Sequence, residues 1–262
     1  MILSPTMKLT NEQIAEFNNN GFLLLKNFAD TTLCDAIKTK AQEHLDKQVE
    51  PIESEEEYQN KPRRSQSDVS GEAATQPIST IRRLRQVYDR EEIFREWMTN
   101  KEIYPILEQL LGEHPRLLLA HHNSIMTKLP HKSSITTWHQ DIRYWHYEND
   151  ELLSVWLSLG DEYLENGLLE FIPGSHKVTF TANQFDERAS FREDLPQNQE
   201  IISKRVHYNL SKGDIVLFHA KTLHYAHQNE TDKAKISFVY SLRSASNQPI
   251  KNTRSDFKEV IL

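Results

Sequence analysis

Thr137-Trp138-His139-Gln140-Asp141 places a histidine and an aspartate two positions apart, directly after a run that alternates as a β-strand does. Successive side chains on a strand point to opposite faces, so His139 and Asp141 are expected to face the same way. An imidazole and a carboxylate that project together can share one metal ion. Two histidines plus one carboxylate leave coordination positions open for oxygen chemistry on Fe(II). This interpretation requires a third ligand from elsewhere in the chain.

Two other triplets of the same form occur in the sequence, His44-Leu45-Asp46 and His146-Tyr147-Glu148. The first lies in a helical pattern, where residues i and i+2 do not face each other and cannot chelate one ion. The second has no regular strand pattern leading into it. The middle triplet is therefore the candidate, although geometry alone leaves open an ordinary surface pair at His139 and Asp141.

Composition narrows the class of protein. The chain has 262 residues and a net charge of −7, which gives no sign of a nucleic-acid-binding surface. Cys34 is the only cysteine, which excludes an intramolecular disulfide and a thiolate-bound cluster and fits a reducing compartment. The sequence shows no secretory signal pattern and no stretch long enough to span a membrane, and a cytoplasmic location is expected.

The order of the periodic segments predicts the architecture. Helical periodicity dominates residues 10–112, and from residue 116 the period changes to two, with further short strands expected at 152–160, 168–172, 204–210, 214–219 and 235–243. This order predicts a single α+β domain over residues 1–262 that is mainly β: a jelly-roll core over 116–243 flanked by N-terminal helices. Residues 178–200 are interpreted as a lid-like insertion, and residues 48–79 as a long loop of open role.

Three histidines are candidates for the third ligand. Gly213-Asp214 is a turn signal, Ile215 to Phe218 is a buried strand run, and His219, His224 and His227 follow. Spacing alone does not choose among them, and at least two must have structural or supporting roles.

Three motifs, taken in order, resemble the phytanoyl-CoA dioxygenase family. They are Trp138-His139-Gln140-Asp141, then the run from Gly167 through Pro173-Gly174-Ser175-His176-Lys177, then Gly213-Asp214 leading to His224 and Asn229. The resemblance covers about residues 10 to 243. It implies Fe(II)- and 2-oxoglutarate-dependent oxygenase chemistry on a double-stranded β-helix, or jelly-roll, core. By the family's spacing, His224 is the third iron ligand beside His139 and Asp141.

The same resemblance implies a set of cosubstrate contacts. The family places a basic residue, usually arginine, eleven positions after the distal histidine and a hydroxyl two positions further on; here these are Lys235 and Ser237. Lysine keeps the charge but loses the bidentate fork of arginine, so another basic residue could share the task. Lys128 matches a strand lysine that contacts the cosubstrate in the family, and Gln140 and Trp156 match further positions of that pocket.

The resemblance therefore implies a non-haem dioxygenase that uses Fe(II), 2-oxoglutarate and O2 to hydroxylate a small organic substrate, with succinate and CO2 as coproducts. Family relatives that halogenate lack the carboxylate of Asp141, so its presence favours hydroxylation. Two alternatives stay open: a catalytically silent family member that binds a metabolite, and a cupin-type metalloenzyme that does not use 2-oxoglutarate. Neither the substrate nor the oligomeric state follows from the sequence.

Overall fold

The computed structural model describes residues 7–60 and 80–262. Helices dominate the first part of the chain, as the periodicity predicts. Thr10 forms a capping box with Gln13 at the start of the first helix, and the side chain of Asp30 accepts hydrogen bonds from two backbone amides of the second. The α-helices are α1 (Asn11–Asn20), α2 (Thr31–Asp46), α3 (Glu55–Asn60), α4 (Glu92–Met98), α5 (Tyr104–Leu111) and α6 (Pro196–Ile202).

The strands form two antiparallel sheets. The strands are β1 (Phe22–Leu25), β2 (Ile52–Ser54), β3 (Ile81–Arg85), β4 (Pro115–Lys128), β5 (Thr136–His139), β6 (Leu152–Ser158), β7 (Leu169–Phe171), β8 (Val206–His207), β9 (Ile215–His219), β10 (His224–Ala226), β11 (Lys235–Ser244) and β12 (Glu259–Ile261). The larger sheet has the order β1-β9-β6-β11-β4-β3-β2, with β12 also paired to β4, and the smaller has the order β5-β10-β7-β8.

The larger sheet separates two apolar layers. Its outer face carries side chains such as Ile125, Phe238 and Tyr240, which pack in one cluster with the buried faces of α1, α2, α4 and α5. Its inner face contributes Trp156 and Val239 to a second cluster shared with the smaller sheet. Alternate side chains of β6 and β11 thus pack against the helices on one face of the sheet and into the interior between the two sheets on the other. The predicted double-sheet core with helices outside it is confirmed.

Some predicted boundaries are wrong. The strand expected at 204–210 is reduced to the two residues of β8, with Lys204 and Arg205 still in the turn after α6. The regular alternation of β4 is broken, because the register against β11 jumps from Asn123 opposite Tyr240 to Leu118 opposite Ser241. This bulge changes the direction of the side chains between Leu118 and Asn123, as β-bulges commonly do. Of the predicted 48–79 loop, residues 52–60 form β2 and α3, and residues 61–79 lie outside the described part.

None of the helices in the described residues is long and apolar enough to cross a membrane.

Candidate metal centre

His139 and His224 are opposite each other in one strand pair. His139 is the last residue of β5, His224 is the first residue of β10, and the two are register partners in the smaller sheet. Side chains of directly opposed residues lie on the same face. Their ring centroids are accordingly 4.1 Å apart. The pairing brings together two residues that are distant in sequence, which spacing could not show.

Asp141 joins these imidazoles from the same chain segment as His139. Gln140 between them is extended, with φ −118° and ψ 126°, and Asp141 begins a short 3-10 helix. The Oδ1 atom of Asp141 is 3.7 Å from Nε2 of His139 and 3.9 Å from Nε2 of His224. In the described part of the chain, these three side chains form the one group of potential metal ligands whose donor atoms all lie within 4.8 Å of one another.

Backbone carbonyls fix which nitrogen of each imidazole faces the group. Nδ1 of His139 lies 2.8 Å from the carbonyl oxygen of Thr137, and Nδ1 of His224 lies 3.0 Å from that of Thr222. A carbonyl only accepts, so each Nδ1 donates its hydrogen and each Nε2 keeps a lone pair for a cation. Metal-binding histidines are usually oriented by this kind of hydrogen bond.

The site also holds its ligands in the protonation states that a metal requires. Burial, reinforced by neighbouring His224, lowers the pKa of His139 to about 3. Burial likewise lowers the pKa of His224, in spite of the nearby Asp141 carboxylate. For Asp141, burial alone would raise the pKa, but the imidazoles of His122 and His224 outweigh it and the pKa lies below its ordinary value. Two neutral imidazoles and one carboxylate fit a divalent transition metal such as Fe(II).

His122 is a further residue of the candidate site, one that the sequence did not identify. Its Nε2 donates to Oδ2 of Asp141 at 3.1 Å, while Oδ1 of the same carboxylate faces His139 and His224. The ring of His122 is held edge-on against Trp145 at 5.4 Å. His122 lies in the irregular stretch of β4, so no strand periodicity could predict its direction. It orients the carboxylate for the proposed metal.

The remaining candidate histidines are occupied elsewhere. His219 accepts a hydrogen bond at Nδ1 from the backbone amide of Lys221. His227 is hydrogen-bonded through Nε2 to the carboxylate of Glu170 at 2.8 Å. Of the three histidines that spacing left open, the structure brings His224 to His139 and Asp141.

Three residues expected to bind cosubstrate meet at one buried carboxylate, that of Glu162. Lys235 lies 3.0 Å from it through Nζ, Ser237 donates to it at 2.7 Å, and the indole Nε1 of Trp156 lies 3.1 and 3.3 Å from its two oxygens. The side chains of Lys235 and Glu162 are 4% and 0% exposed. Glu162 was not predicted from the sequence.

The other two expected cosubstrate residues lie apart from that carboxylate. Lys128 is the cross-strand partner of Lys235 and donates to the carbonyl oxygen of Ser134 at 2.5 Å. The side-chain amide of Gln140 donates a hydrogen bond to the carbonyl oxygen of Lys221 and accepts one from the guanidinium of Arg143. The alternation that directs His139 and Asp141 to the metal group directs Gln140 to the opposite side.

The segment 178–200 packs beside the metal group. Its Phe180, Phe185 and Phe191 form one aromatic cluster with Trp138 of β5. The backbone amide of Phe191 donates to the carbonyl oxygen of Trp138 at 2.7 Å. Tyr144, which lies 6.2 Å from the ring of His139, donates from its hydroxyl to the carbonyl oxygen of Arg188. The segment is thus attached to both sides of the stretch that carries His139 and Asp141.

A family model described as Phytanoyl-CoA dioxygenase (PhyH) matches residues 17–237. Phytanoyl-CoA dioxygenase domain-containing protein 1 of Bos taurus is 23% identical over 91% of this chain and 91% of its own length. The peroxisomal phytanoyl-CoA dioxygenase of Homo sapiens is 25% identical over 85% of this chain and 65% of its own length.

Solved structures share the fold at lower identity. EctD from S. alaskensis, with 2-oxoglutarate and 5-hydroxyectoine, superposes with a TM-score of 0.74 at 17% identity, covering 94% of this chain and 80% of EctD. The epimerase SnoN, in complex with Fe3+, alpha ketoglutarate and nogalamycin RO, gives a TM-score of 0.70 at 20% identity, covering 91% of this chain and 84% of SnoN.

Proposed function

Because the chain belongs to the phytanoyl-CoA dioxygenase family of Fe(II)- and 2-oxoglutarate-dependent oxygenases, we propose that it hydroxylates a small organic substrate at an iron held by His139, Asp141 and His224. The observation that carries this proposal is the convergence of two Nε2 lone pairs and one carboxylate oxygen within 4.8 Å. Bound Fe(II) supplies the chemistry that activates O2 and couples decarboxylation of 2-oxoglutarate to oxidation of the substrate.

The chain's own residues contribute placement and protection. The carbonyl oxygens of Thr137 and Thr222 hold the two imidazoles in the ligating tautomer, and His122 holds the carboxylate. Phe171 and Phe218 flank the ring of His224 at centroid distances of 6.2 and 5.1 Å, so the inner side of the site is apolar. An apolar wall excludes water and limits unproductive oxidation.

Segment 178–200 is part of the proposal as a lid that contributes to substrate choice. Its support is the attachment of Phe191 to Trp138 and of Arg188 to Tyr144, on either side of the iron-binding stretch. Tyr144 is 37% exposed, so this edge of the site is open to solvent. A cytoplasmic location and a single domain remain predictions from the sequence.

A coupled assay tests the function. With Fe(II), O2 and a candidate substrate, the protein should consume 2-oxoglutarate and release one succinate for each hydroxylated product. Asp141→Ala should lose this turnover, and His227→Gln, which alters a histidine–carboxylate pair outside the site, should keep it. Substrate oxidation without succinate would favour a cupin-type enzyme. Binding of 2-oxoglutarate without turnover across a broad substrate screen would favour a silent, metabolite-binding member.

A further inference from the structure

Glu162 fills a complete carboxylate-binding cradle inside the protein. The cradle consists of the ammonium of Lys235, the hydroxyl of Ser237 and the indole N–H of Trp156, and all three groups contact this one carboxylate. The ammonium of Lys235 also lies 5.0 Å from the centre of the Trp156 ring. Three donors of different chemistry directed at one point form a strong recognition site for a carboxylate. The carboxylate that occupies it belongs to the chain itself.

The cradle shares its interior with the candidate metal centre. Trp156 belongs to the apolar cluster between the sheets, and the same cluster contains Phe171 and Phe218, which contact the ring of His224. Lys235 and Ser237 lie on the inner face of β11, alongside Val239 of that cluster. A dicarboxylate chelated at the metal would extend into this interior and would need a cation for its far end.

Glu162 is not easily displaced from the cradle. Its backbone exchanges two hydrogen bonds of 2.9 Å with Leu210, so the main chain is fixed on both sides. Its side chain is fully buried, and moving it would leave the ammonium of Lys235 without its acidic partner. Breaking a buried ion pair by removing one member is strongly unfavourable. An incoming carboxylate therefore meets a cradle that is already neutralised.

The geometry points to Glu162 as a specificity-determining residue that occupies the position for the far carboxylate of the cosubstrate, so that the wild-type site selects only weakly for a dicarboxylic 2-oxo acid. This inference rests on the proposed function and deepens it. Lys128 is then the other interior lysine available to the cosubstrate, because no acidic side chain of the described residues lies within 4.0 Å of its side-chain nitrogen. Burial, followed by the charges of Arg82 and Lys235, lowers the pKa of Lys128 to about 6, which makes it a weak anchor at neutral pH.

Anaerobic titration of the Fe(II) protein tests this, with the visible charge-transfer band of the chelate as the readout. The probes are 2-oxoglutarate and 2-oxobutyrate, which lacks the far carboxylate. Wild-type protein should bind the two with dissociation constants that differ by less than about tenfold. Glu162→Ala should lower the dissociation constant of 2-oxoglutarate by at least about tenfold, because the cradle is freed, and should leave the dissociation constant of 2-oxobutyrate unchanged. Glu162→Gln, which removes the charge but not the bulk, should give an intermediate gain.

Two controls separate the possible failures. Glu170→Ala removes another buried glutamate, one that pairs with His227 instead of the cradle, and should leave both affinities unchanged. Acetate should raise the melting temperature of Glu162→Ala and not of the wild type, since it refills the cradle without any metal. An unchanged preference in Glu162→Ala, or no stabilisation by acetate, would overturn the inference while the proposed function stands. A missing chelate band in every variant would overturn both.

Discussion

Substituting His122 with phenylalanine tests whether this histidine positions the carboxylate ligand. The ring remains against Trp145, but the hydrogen bond of 3.1 Å to Oδ2 of Asp141 is lost. Loss of such an outer partner typically weakens metal binding by about 10- to 100-fold. The side chain of His122 is 20% exposed, so water replaces part of the interaction and the lower half of that range, roughly 10- to 30-fold, is expected.

Anaerobic calorimetry with Fe(II) measures this effect directly. His122→Gln, whose amide can still donate to Asp141, should recover part of the affinity. His227→Gln is the matched control, since it removes a histidine–carboxylate hydrogen bond of 2.8 Å on the other side of the smaller sheet. If His122→Phe binds Fe(II) within about threefold of the wild type, or if His227→Gln weakens binding equally, the positioning role is refuted.

Three further predictions concern stability. Burial lowers the pKa of His219 to about 4, so between pH 6.5 and 4 the unfolded chain binds a proton that the folded chain does not. As the pH falls through this range, the free energy of unfolding should therefore fall by about 1.4 kcal/mol per pH unit from this residue. Urea titrations of His219→Gln should show a correspondingly flatter pH profile. Gly167→Ala should cost about 1–3 kcal/mol, because φ is +87° and a Cβ would lie 2.7 Å from the carbonyl oxygen of His227; an unchanged urea midpoint would contradict this. Phe191→Ala should cost about 3–5 kcal/mol by opening a cavity in the aromatic cluster of segment 178–200, and a loss below 1 kcal/mol would show that the segment packs loosely.

The sequence predicted those parts of the fold that depend on local periodicity. The helical periodicity within residues 10–112 and the strand period of two from residue 116 are each visible within one segment, and the structure has helices in the first region and long strands such as β4 and β11 in the second. The bulge in β4 and the short β8 depend instead on how distant strands pair, which a single segment does not encode.

The candidate site follows the same division. The common direction of His139 and Asp141 is a local property of an extended backbone and could be predicted. The choice of His224 needed the family's spacing, because its position opposite His139 is set by the pairing of β5 with β10. Glu162 had no signal at all: it follows β6 as an isolated antiparallel bridge to Leu210, 48 positions later in the chain, and that pairing fixes its direction.

Anomalous diffraction at the iron edge, from crystals of the protein grown anaerobically with Fe(II), is the most direct test of the central claim. We expect one iron peak within bonding distance of Nε2 of His139, Oδ1 of Asp141 and Nε2 of His224 together. An iron peak bound to any other set of residues, or none at these three atoms at saturating Fe(II), would contradict it.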